Sequence, residues 1–355
     1  MTPGFATADR DSYPTAVDLF SGAGGLTLGL RWARFKVLGA VELNSLAAET
    51  YRSNFPRVRL WEMDIRDLPV ARVRRELDLR PGQLDLLAGC PPCQGFSSLR
   101  SLNGHHTIDD ERNDLVLEFE RFVRGLRPKA VMLENVPGLM TDGRLGRLRS
   151  TLTALGYETA TSVLDASKFG VPQRRRRMIL VAGYRKAIPL AHGDGTMVTV
   201  RDAIGALPRA GASGDPLHDL PEKRASTVVD LIARIPKDGG SRADLGESQL
   251  ACHKRCAGFY DVYGRMAWDD VSPTITSGCV NPSKGRFLHP EENRSITLRE
   301  AALLQGFPPE HRFSLRCGKF AVAEMIGNAL PPEFIRQHAA QIRLHVVRGV
   351  QGTNP

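Results

Sequence analysis

The sequence predicts an α/β fold: a mostly parallel sheet with helices on both faces, joined to a smaller irregular domain. Three observations support this prediction. Short apolar segments alternate with helix-like segments through the first half of the chain, as in parallel sheets. From about residue 187 to residue 285 the apolar periodicity is poor, and Pro, Gly, Asp and Ser are frequent. The chain then returns to helix-like segments near its end.

The predicted elements of the first half alternate in type. Five segments have the length and apolar content of strands. They are PTAVDLF (14–20), KVLGAVE (36–42), QLDLLAG (83–89), KAVMLE (129–134) and RMILVAG (177–183). Helix-like segments follow the first two strands, namely GLTLGLRWARF (25–35) and NSLAAETYRSNF (44–55).

Three further helices are predicted after the irregular stretch. They cover SITLREAALLQGF (295–307), FAVAEMIG (320–327) and PPEFIRQHAAQIRLHVV (331–347). Pro331 and Pro332 suit the first turn of the last helix, where a missing N–H group costs nothing. No internal repeat is evident.

Composition narrows the function classes. The 355 residues contain 48 Lys and Arg against 39 Asp and Glu, a net charge of +9 that favours a polyanionic partner such as nucleic acid. No stretch approaches the ~18 apolar residues of a membrane span, and residues 1–13 lack the apolar core of a secretory signal. Six cysteines in this length do not indicate a disulfide framework, so we expect a reducing setting.

The first two predicted strands end in residues that suit a nucleoside ligand. The first runs into DLFSGAGG, where Gly22, Gly24 and Gly25 let the backbone approach a ligand closely. The second ends in Glu42, which can hold ribose hydroxyls. Ligands of open α/β sheets bind beyond such strand ends. The glycine spacing differs from the G-x-G-x-x-G of dinucleotide binders, which disfavours an NAD-dependent dehydrogenase.

A cysteine and a carboxylate follow two neighbouring strands. The segment GCPPCQGFS carries Cys90 and Cys93, and ENVPGL begins with Glu134. The Cys-x-x-Cys spacing is compatible with a metal or redox pair, but the tandem prolines and the lack of a second ligand pair disfavour both. CHKRC (252–256) is compatible with half a zinc site, and no matching pair is evident nearby, so we expect no metal. One reactive thiol facing a carboxylate remains the best interpretation.

Taken together, eight segments resemble the DNA (cytosine-5)-methyltransferases, which use S-adenosylmethionine. The segments are DLFSGAGG, Glu42 after the second strand, MDI, PPCQGFS, ENV, QRRRR, REAALLQGFP and GNALPP, all in the family's order and covering nearly the whole chain. The resemblance implies a Rossmann-like methyltransferase sheet with a smaller target-recognition domain. It also implies a bacterial restriction-modification type of enzyme, in the cytoplasm and associated with the nucleoid.

The resemblance assigns the nucleophile to Cys93. Cytosine carbon 5 is too poor a nucleophile to take a methyl group unaided, and addition of a thiolate to carbon 6 makes it electron-rich. Glu134, by resemblance, protonates or shares a proton with ring nitrogen 3. A dry pocket raises the pKa of a carboxyl enough for that task. The pattern Gln-x-Arg-x-Arg assigns supporting roles to Gln173, Arg175 and Arg177, with Arg175 near the base and Glu134.

The resemblance also implies the cofactor site. Phe20 packs on the adenine, Glu42 holds the ribose, Asp64 meets the adenine amino group, and the SGAGG turn with Asn328 flanks the methionine part. Many family members have glycine at position 90, so the cysteine here departs from the pattern and is expected to line the cofactor side without reacting. The cofactor-binding residues expected are Asp18, Phe20, Ser21, Gly22, Gly24, Gly25, Glu42, Leu43, Asp64, Ile65, Cys90, Pro92 and Asn328.

Double-stranded DNA is the expected partner. In a duplex the target cytosine must be flipped out, and the polar stretch 97–114 resembles the family's mobile loop, with Ser97 and Arg112 as phosphate contacts. The irregular stretch corresponds to the family's variable recognition region. Its expected DNA-binding residues are Lys254, Arg255 and Arg265, and its candidate stacking residues are Tyr260, Tyr263 and Trp268.

The resemblance divides the chain into four parts. We expect a disordered tail over 1–13, a catalytic and cofactor-binding domain over 14–186, a small domain with target recognition over 187–315, and C-terminal helices over 316–348 that return to the catalytic domain. A monomer is expected, with a cognate restriction endonuclease or a defence-system component as a further partner. Two alternatives stay open: an RNA cytosine methyltransferase on the same scaffold, and a catalytically silent DNA-binding module.

Overall fold

The computed structural model describes residues 13–92, 114–248 and 261–348. Contacts between Cα atoms divide these residues into two compact units. Unit 1 contains the described residues up to Leu164, the segment Arg176–His192 and the chain from Pro332 onward. Unit 2 contains Asp165–Arg175 and Gly193–Pro331.

Unit 1 is built on a seven-stranded sheet in the order β3-β2-β1-β4-β5-β7-β6. The strands are β1 Thr15–Leu19, β2 Lys36–Glu42, β3 Arg59–Glu62, β4 Leu86–Gly89, β5 Ala130–Asn135, β6 Tyr157–Asp165 and β7 Arg176–Tyr184. The strands β3, β2, β1, β4 and β5 pair in parallel, and β7 pairs antiparallel with β5. The predicted α/β class is therefore confirmed, and the sheet is mixed because of β7.

Helices of unit 1 cover both faces of this sheet. They are α1 Gly25–Trp32, α2 Ser45–Asn54, α3 Val70–Glu76, α4 Leu115–Leu126, α5 Gly143–Ala154 and the C-terminal α10 Pro332–Arg348. Consecutive strand residues point to opposite faces. Accordingly, Val41 of β2 joins the core cluster that contains α4 and α5, and its neighbour Ala40 packs with Tyr51 of α2.

The last helix packs against the first helix of unit 1. A Cβ on Gly29 of α1 would lie 2.4 Å from the carbonyl oxygen of Pro332, so only glycine permits this approach. The helix begins at Pro332, as the two prolines predict. The return of the chain to unit 1 therefore starts at residue 332, whereas the sequence predicted 316.

Unit 2 has little regular structure. Among its described residues the α-helices are α6 Val200–Ile204, α7 Ser226–Arg234, α8 Leu298–Leu304 and α9 Gly318–Asn328, and short 3₁₀ helices and isolated bridges occur between turns and irregular segments. The segment 165–175 belongs to this unit because Gln173 forms a bridge with Ser272. A capping box between Thr297 and Glu300 begins α8.

Within the described ranges, no helix combines the length and the apolar character that a membrane span needs.

Candidate active site

The glycine turn after β1 opens the switch point of the sheet, between β1 and β4. Phe20, Gly22 and Gly24 all have positive φ angles, of 66°, 53° and 93°. A Cβ on Gly24 would lie 2.3 Å from the Phe55 ring, whereas one on Gly22 would meet no atom of the described residues within 4 Å. The turn is thus packed against the protein at Gly24 and open at Gly22. Ser21 is buried and its N–H donates to Val41 at 2.9 Å.

Asp18 is a buried carboxyl at the start of this turn. Its Oδ2 accepts a hydrogen bond of 2.7 Å from the Thr27 hydroxyl, and that hydroxyl lies 2.7 Å from the Tyr51 hydroxyl. Because Thr27 has one proton to give, Tyr51 must donate to Thr27. Oδ1 of Asp18 is buried and has no partner among the described residues. Burial raises the pKa of Asp18 to about 7, against the Thr27 bond that lowers it.

Glu42 ties the glycine turn to the end of β2. Its two carboxylate oxygens accept from the backbone N–H groups of Gly22 and Asn44, each at 2.7 Å. Burial raises the pKa of Glu42, and these backbone bonds oppose the rise. The carboxylate has four acceptor positions, so these bonds leave room for a ligand hydroxyl. Leu43, also predicted to bind the cofactor, is exposed beside it.

The residues predicted to contact the adenine follow β1 and β3. Asp64 accepts from the Arg66 N–H at 2.9 Å and so caps the 3₁₀ helix Ile65–Asp67. Ile65 is buried in the main core of unit 1, and Phe20 packs against the same core while remaining partly exposed. Phe20 and Asp64 thus each have a structural role that leaves part of the side chain accessible.

The segment after β4 is fixed at both sides. The N–H of Cys90 donates to the Leu19 carbonyl of β1 at 3.2 Å. The buried side chain of Asn135 donates to the Pro91 carbonyl at 2.9 Å. A Cβ on Gly89 would lie 2.9 Å from the Leu19 oxygen, which fixes the course of the backbone before Cys90. Pro92 ends the described part of this segment.

Glu134 is the buried carboxylate of the site, with 1% of its side chain exposed. The Cys90 thiol donates to its Oε2 at 2.9 Å. Nε of Arg177, which lies at the start of β7, is 3.1 Å from Oε1. The sequence predicted Arg175 as the arginine near Glu134, and the structure gives this ion pair to Arg177. It also places the Cys90 thiol against the carboxylate, a contact that the sequence did not predict.

Gln173, Arg175 and Asn328 belong to unit 2. The Gln173 amide is buried; it donates to the Leu304 carbonyl and accepts from the Ile275 N–H, both at 3.0 Å. The buried guanidinium of Arg175 donates to carbonyl oxygens of its own unit, those of Ile275, Gly327 and Ala329. Both side chains therefore hold the backbone of unit 2 together. Asn328 is exposed at the end of α9, and its predicted cofactor contact stays a prediction.

The prediction that Arg265 binds DNA is wrong. The side chain is fully buried, and its guanidinium donates all five N–H groups within unit 2. The acceptors are the carbonyl oxygens of Ile235, His289, Glu292 and Ile232 and the side chain of Asn293. A guanidinium with no donor left cannot read a base edge.

Trp268 is also held within unit 2, between Arg201 and His289, at 5.3 Å and 5.2 Å from its ring. Several predicted residues lie outside the described residues, and their roles stay predictions. They are Cys93, Ser97, Arg112, Lys254, Arg255 and Tyr260.

Two contributions were missed in the sequence. Thr27 and Tyr51 form a hydrogen-bonded chain with Asp18. The sequence feature that could have indicated this chain is a threonine on the apolar face of a predicted helix. Asn135 holds the Pro91 carbonyl, and its signal was its place directly after Glu134 in ENV.

Comparison with known proteins adds an independent observation. The family model described as C-5 cytosine-specific DNA methylase matches residues 15–343. The Type II methylase M.HgiDII of Herpetosiphon aurantiacus is 38% identical over 347 residues, covering 92% of this chain and 94% of the relative. The Type II methyltransferase M1.HphI of Haemophilus parahaemolyticus is 34% identical over 327 residues, covering 90% and 83%.

A solved structure agrees with these sequence relatives. It is described as a candidate DNA modification methyltransferase encoded within an E. coli prophage, and it superposes with a TM-score of 0.69 at 27% identity. The superposition covers 94% of this chain and 99% of that one.

Proposed function

The chain belongs to the C-5 cytosine-specific DNA methylase family and is a DNA cytosine-5 methyltransferase, and from that premise we propose how its residues work. It methylates carbon 5 of a cytosine flipped out of a specific duplex sequence, through a covalent adduct on Cys93. The observation that carries this proposal is the buried Glu134 carboxylate, held by Cys90 and Arg177 beside the segment that leads to Cys93.

The thiolate of Cys93 adds to carbon 6 of the cytosine, forming a carbon–sulfur bond and moving an electron pair into the ring. Glu134 relieves the charge that develops at ring nitrogen 3 by giving or sharing a proton there. Carbon 5 is now nucleophilic and would take the methyl group from a sulfonium donor, whose methyl–sulfur bond breaks and leaves a neutral thioether. Water then takes the carbon 5 proton, and the electron pair of that bond restores the double bond between carbons 5 and 6 and expels the thiolate, so Cys93 is regenerated. The proton at nitrogen 3 returns to Glu134.

The residues present fit S-adenosylmethionine, which when bound supplies an electrophilic methyl group on a sulfonium centre. The turn at Gly22 leaves space beside the backbone, and Asp18 has a buried oxygen without a partner. The ionised form of Asp18 would attract the ammonium of the methionine part. Glu42 would accept from ribose hydroxyls, and Phe20 with Asp64 would hold the adenine.

The target cytosine must leave the base stack of duplex DNA to enter this site. Unstacking and unpairing it costs a few kcal/mol. The net charge of +9 favours approach of the phosphate backbone. Because the relatives named above are Type II enzymes, we place this methyltransferase in a Type II restriction-modification system, with a cognate endonuclease as partner. We also propose a monomer as the working form.

A trapping experiment tests the proposed chemistry. Duplex DNA with 5-fluorocytosine at the target should leave a covalent protein–DNA adduct, because fluorine cannot leave carbon 5 as a proton does. The adduct should map by mass to Cys93, and it should be absent from Cys93→Ser and present in the control Cys317→Ser, whose thiol is exposed in unit 2. Methylation of duplex DNA should exceed that of tRNA. An adduct mapped to Cys90, or normal turnover by Cys93→Ser, would overturn the proposal.

A further inference from the structure

The two oxygens of Glu134 face partners of different chemistry. Oε1 lies 3.1 Å from Nε of Arg177, and Oε2 lies 2.9 Å from the Cys90 thiol. Nε of Arg177 forms an ion pair with Oε1 without the alignment of a hydrogen bond, and its positive charge favours negative charge on that oxygen. A thiol can donate to a charged oxygen and can also accept weakly from a protonated one. The proton of a neutral Glu134 therefore belongs on Oε2.

The backbone that carries the Cys90 thiol is fixed beside that oxygen. The Cys90 N–H is bonded to Leu19 at 3.2 Å, and the next carbonyl, of Pro91, accepts from Asn135 at 2.9 Å. Gly89 packs so closely on the Leu19 oxygen that no side chain fits there. The direction of the Cys90 Cα–Cβ bond follows from these contacts.

From this geometry we infer that Cys90 is a positioning residue for the methyl-transfer reaction. Its thiol fixes Oε2 of Glu134 as the oxygen that gives and regains the proton, by donating to it in the charged state and accepting from it in the neutral state. Cys90 forms no bond to substrate and is not oxidised. The inference rests on the proposed role of Glu134. Position 90 is often glycine in the family, and glycine has no side chain that could hold the carboxyl in this way.

The test compares Cys90→Ala and Cys90→Ser with wild-type protein and with Cys317→Ala as a matched control. Single-turnover methyl transfer is measured as a function of pH, together with the dissociation constants for duplex DNA and S-adenosylmethionine. Cys90→Ala should be about tenfold slower, the size expected for losing one hydrogen bond to a charged group. Its dissociation constant for duplex DNA should be unchanged, and Cys317→Ala should behave as wild type.

The pH profile separates positioning from simple packing. A hydrogen bond to the charged form favours that form, so without the thiol the carboxyl should keep its proton to higher pH. The alkaline limb of the rate profile should therefore move to higher pH in Cys90→Ala, and Cys90→Ser, whose hydroxyl also donates and accepts, should restore both the limb and the rate. A Cys90→Ala profile that superposes on wild type, or a serine variant that behaves like alanine, overturns the inference.

A double variant tests this inference separately from the proposed role of Glu134. In a Glu134→Gln background, Cys90→Ala should cause no further loss of rate, because the carboxyl through which it acts is gone. A further tenfold loss there would show that Cys90 acts elsewhere and would refute the inference alone. Near-normal turnover of Glu134→Gln by itself would instead refute the proposed role of Glu134.

Discussion

Nε of Arg177 lies 3.1 Å from Oε1 of Glu134, joining the antiparallel strands β7 and β5 at the point where the sheet meets the site. The carboxylate is almost completely buried and the arginine is mostly so. A buried charge is tolerated only when its partner offsets the cost of leaving water. Loss of either residue therefore leaves the other charged group without its partner. We expect substitution of Glu134 and substitution of Arg177 each to slow the reaction.

Glu134→Gln should slow methyl transfer by a factor of ~10²–10⁴, because an amide cannot supply the carboxyl proton. Affinity for duplex DNA should change little. Single-turnover rates and DNA binding measure the two effects, and Glu118→Gln, a partly exposed change on α4, serves as the control. A rate within twofold of wild type would show that ring activation comes from another group.

Arg177→Met should lower the free energy of unfolding by about 3 kcal/mol, because it leaves a buried carboxylate without its cation. The same change should slow methyl transfer, since the Glu134 carboxylate loses the positive charge that lies beside Oε1. Denaturant unfolding and single-turnover rates measure both. The control is Arg176→Met, an exposed neighbour on the same strand. Equal effects of the two substitutions would contradict a specific role for the Arg177 pair.

Asp18 should make the cofactor-free protein less stable as pH rises. Its pKa is raised from 3.8 to about 7 by burial, so the folded state binds the proton more tightly than the unfolded chain does. Its contribution to stability is then fully present below about pH 4 and is lost as pH rises through 7. Relative to Asp18→Asn, wild type should lose up to about 4 kcal/mol across that window.

Unfolding of both proteins at a series of pH values measures this difference. The exposed change Asp230→Asn on α7 is the control and should leave the pH dependence of wild type unaltered. Parallel stability curves for wild type and Asp18→Asn would show that the Asp18 carboxyl titrates alike in the folded and unfolded states.

Arg265→Met should destabilise unit 2 without relaxing the methylated sequence. The substitution keeps the length of the side chain but removes every donor from five buried or part-buried acceptors. Unsatisfied buried acceptors cost about 1–3 kcal/mol each before relaxation, so the loss should amount to several kcal/mol. Thermal unfolding measures it, with exposed Arg209→Met as the control. Unchanged stability with a relaxed target sequence would restore Arg265 as a DNA-reading residue.

Exchange of the irregular stretch should transfer the recognised sequence. Reaction chemistry is the same for every cytosine, whereas choice of flanking bases needs side chains at base edges, each worth about 1–3 kcal/mol. We would exchange Gly193–Asn293 with the corresponding stretch of a Type II relative, so that Arg265 travels with all its acceptors. Bisulfite sequencing of the methylated products should then report the relative's site. An active chimera that still methylates the parent's site would place specificity outside this stretch.

The sequence by itself determined the elements whose local pattern is strong. The apolar runs of β1, β2, β4, β5 and β7 and the amphipathic helices near the C-terminus follow from residue spacing alone. The residues at the strand ends were predictable for the same reason, because a parallel sheet brings those ends to one edge. The edge strand β6, with only partly buried residues after Tyr157, and the four-residue β3 lack such a run and were not predicted.

Only the tertiary structure decided which polar groups meet. Cys90 and Glu134 are 44 residues apart, and no local pattern specifies that their side chains share a hydrogen bond. Arginine is a residue type that often binds DNA. The Arg265 side chain, however, is buried, and its guanidinium donates to backbone carbonyl oxygens that include those of Ile232 and Glu292. Local sequence sets backbone preference and apolar periodicity, whereas the partner of a buried charge depends on which distant segments close around it.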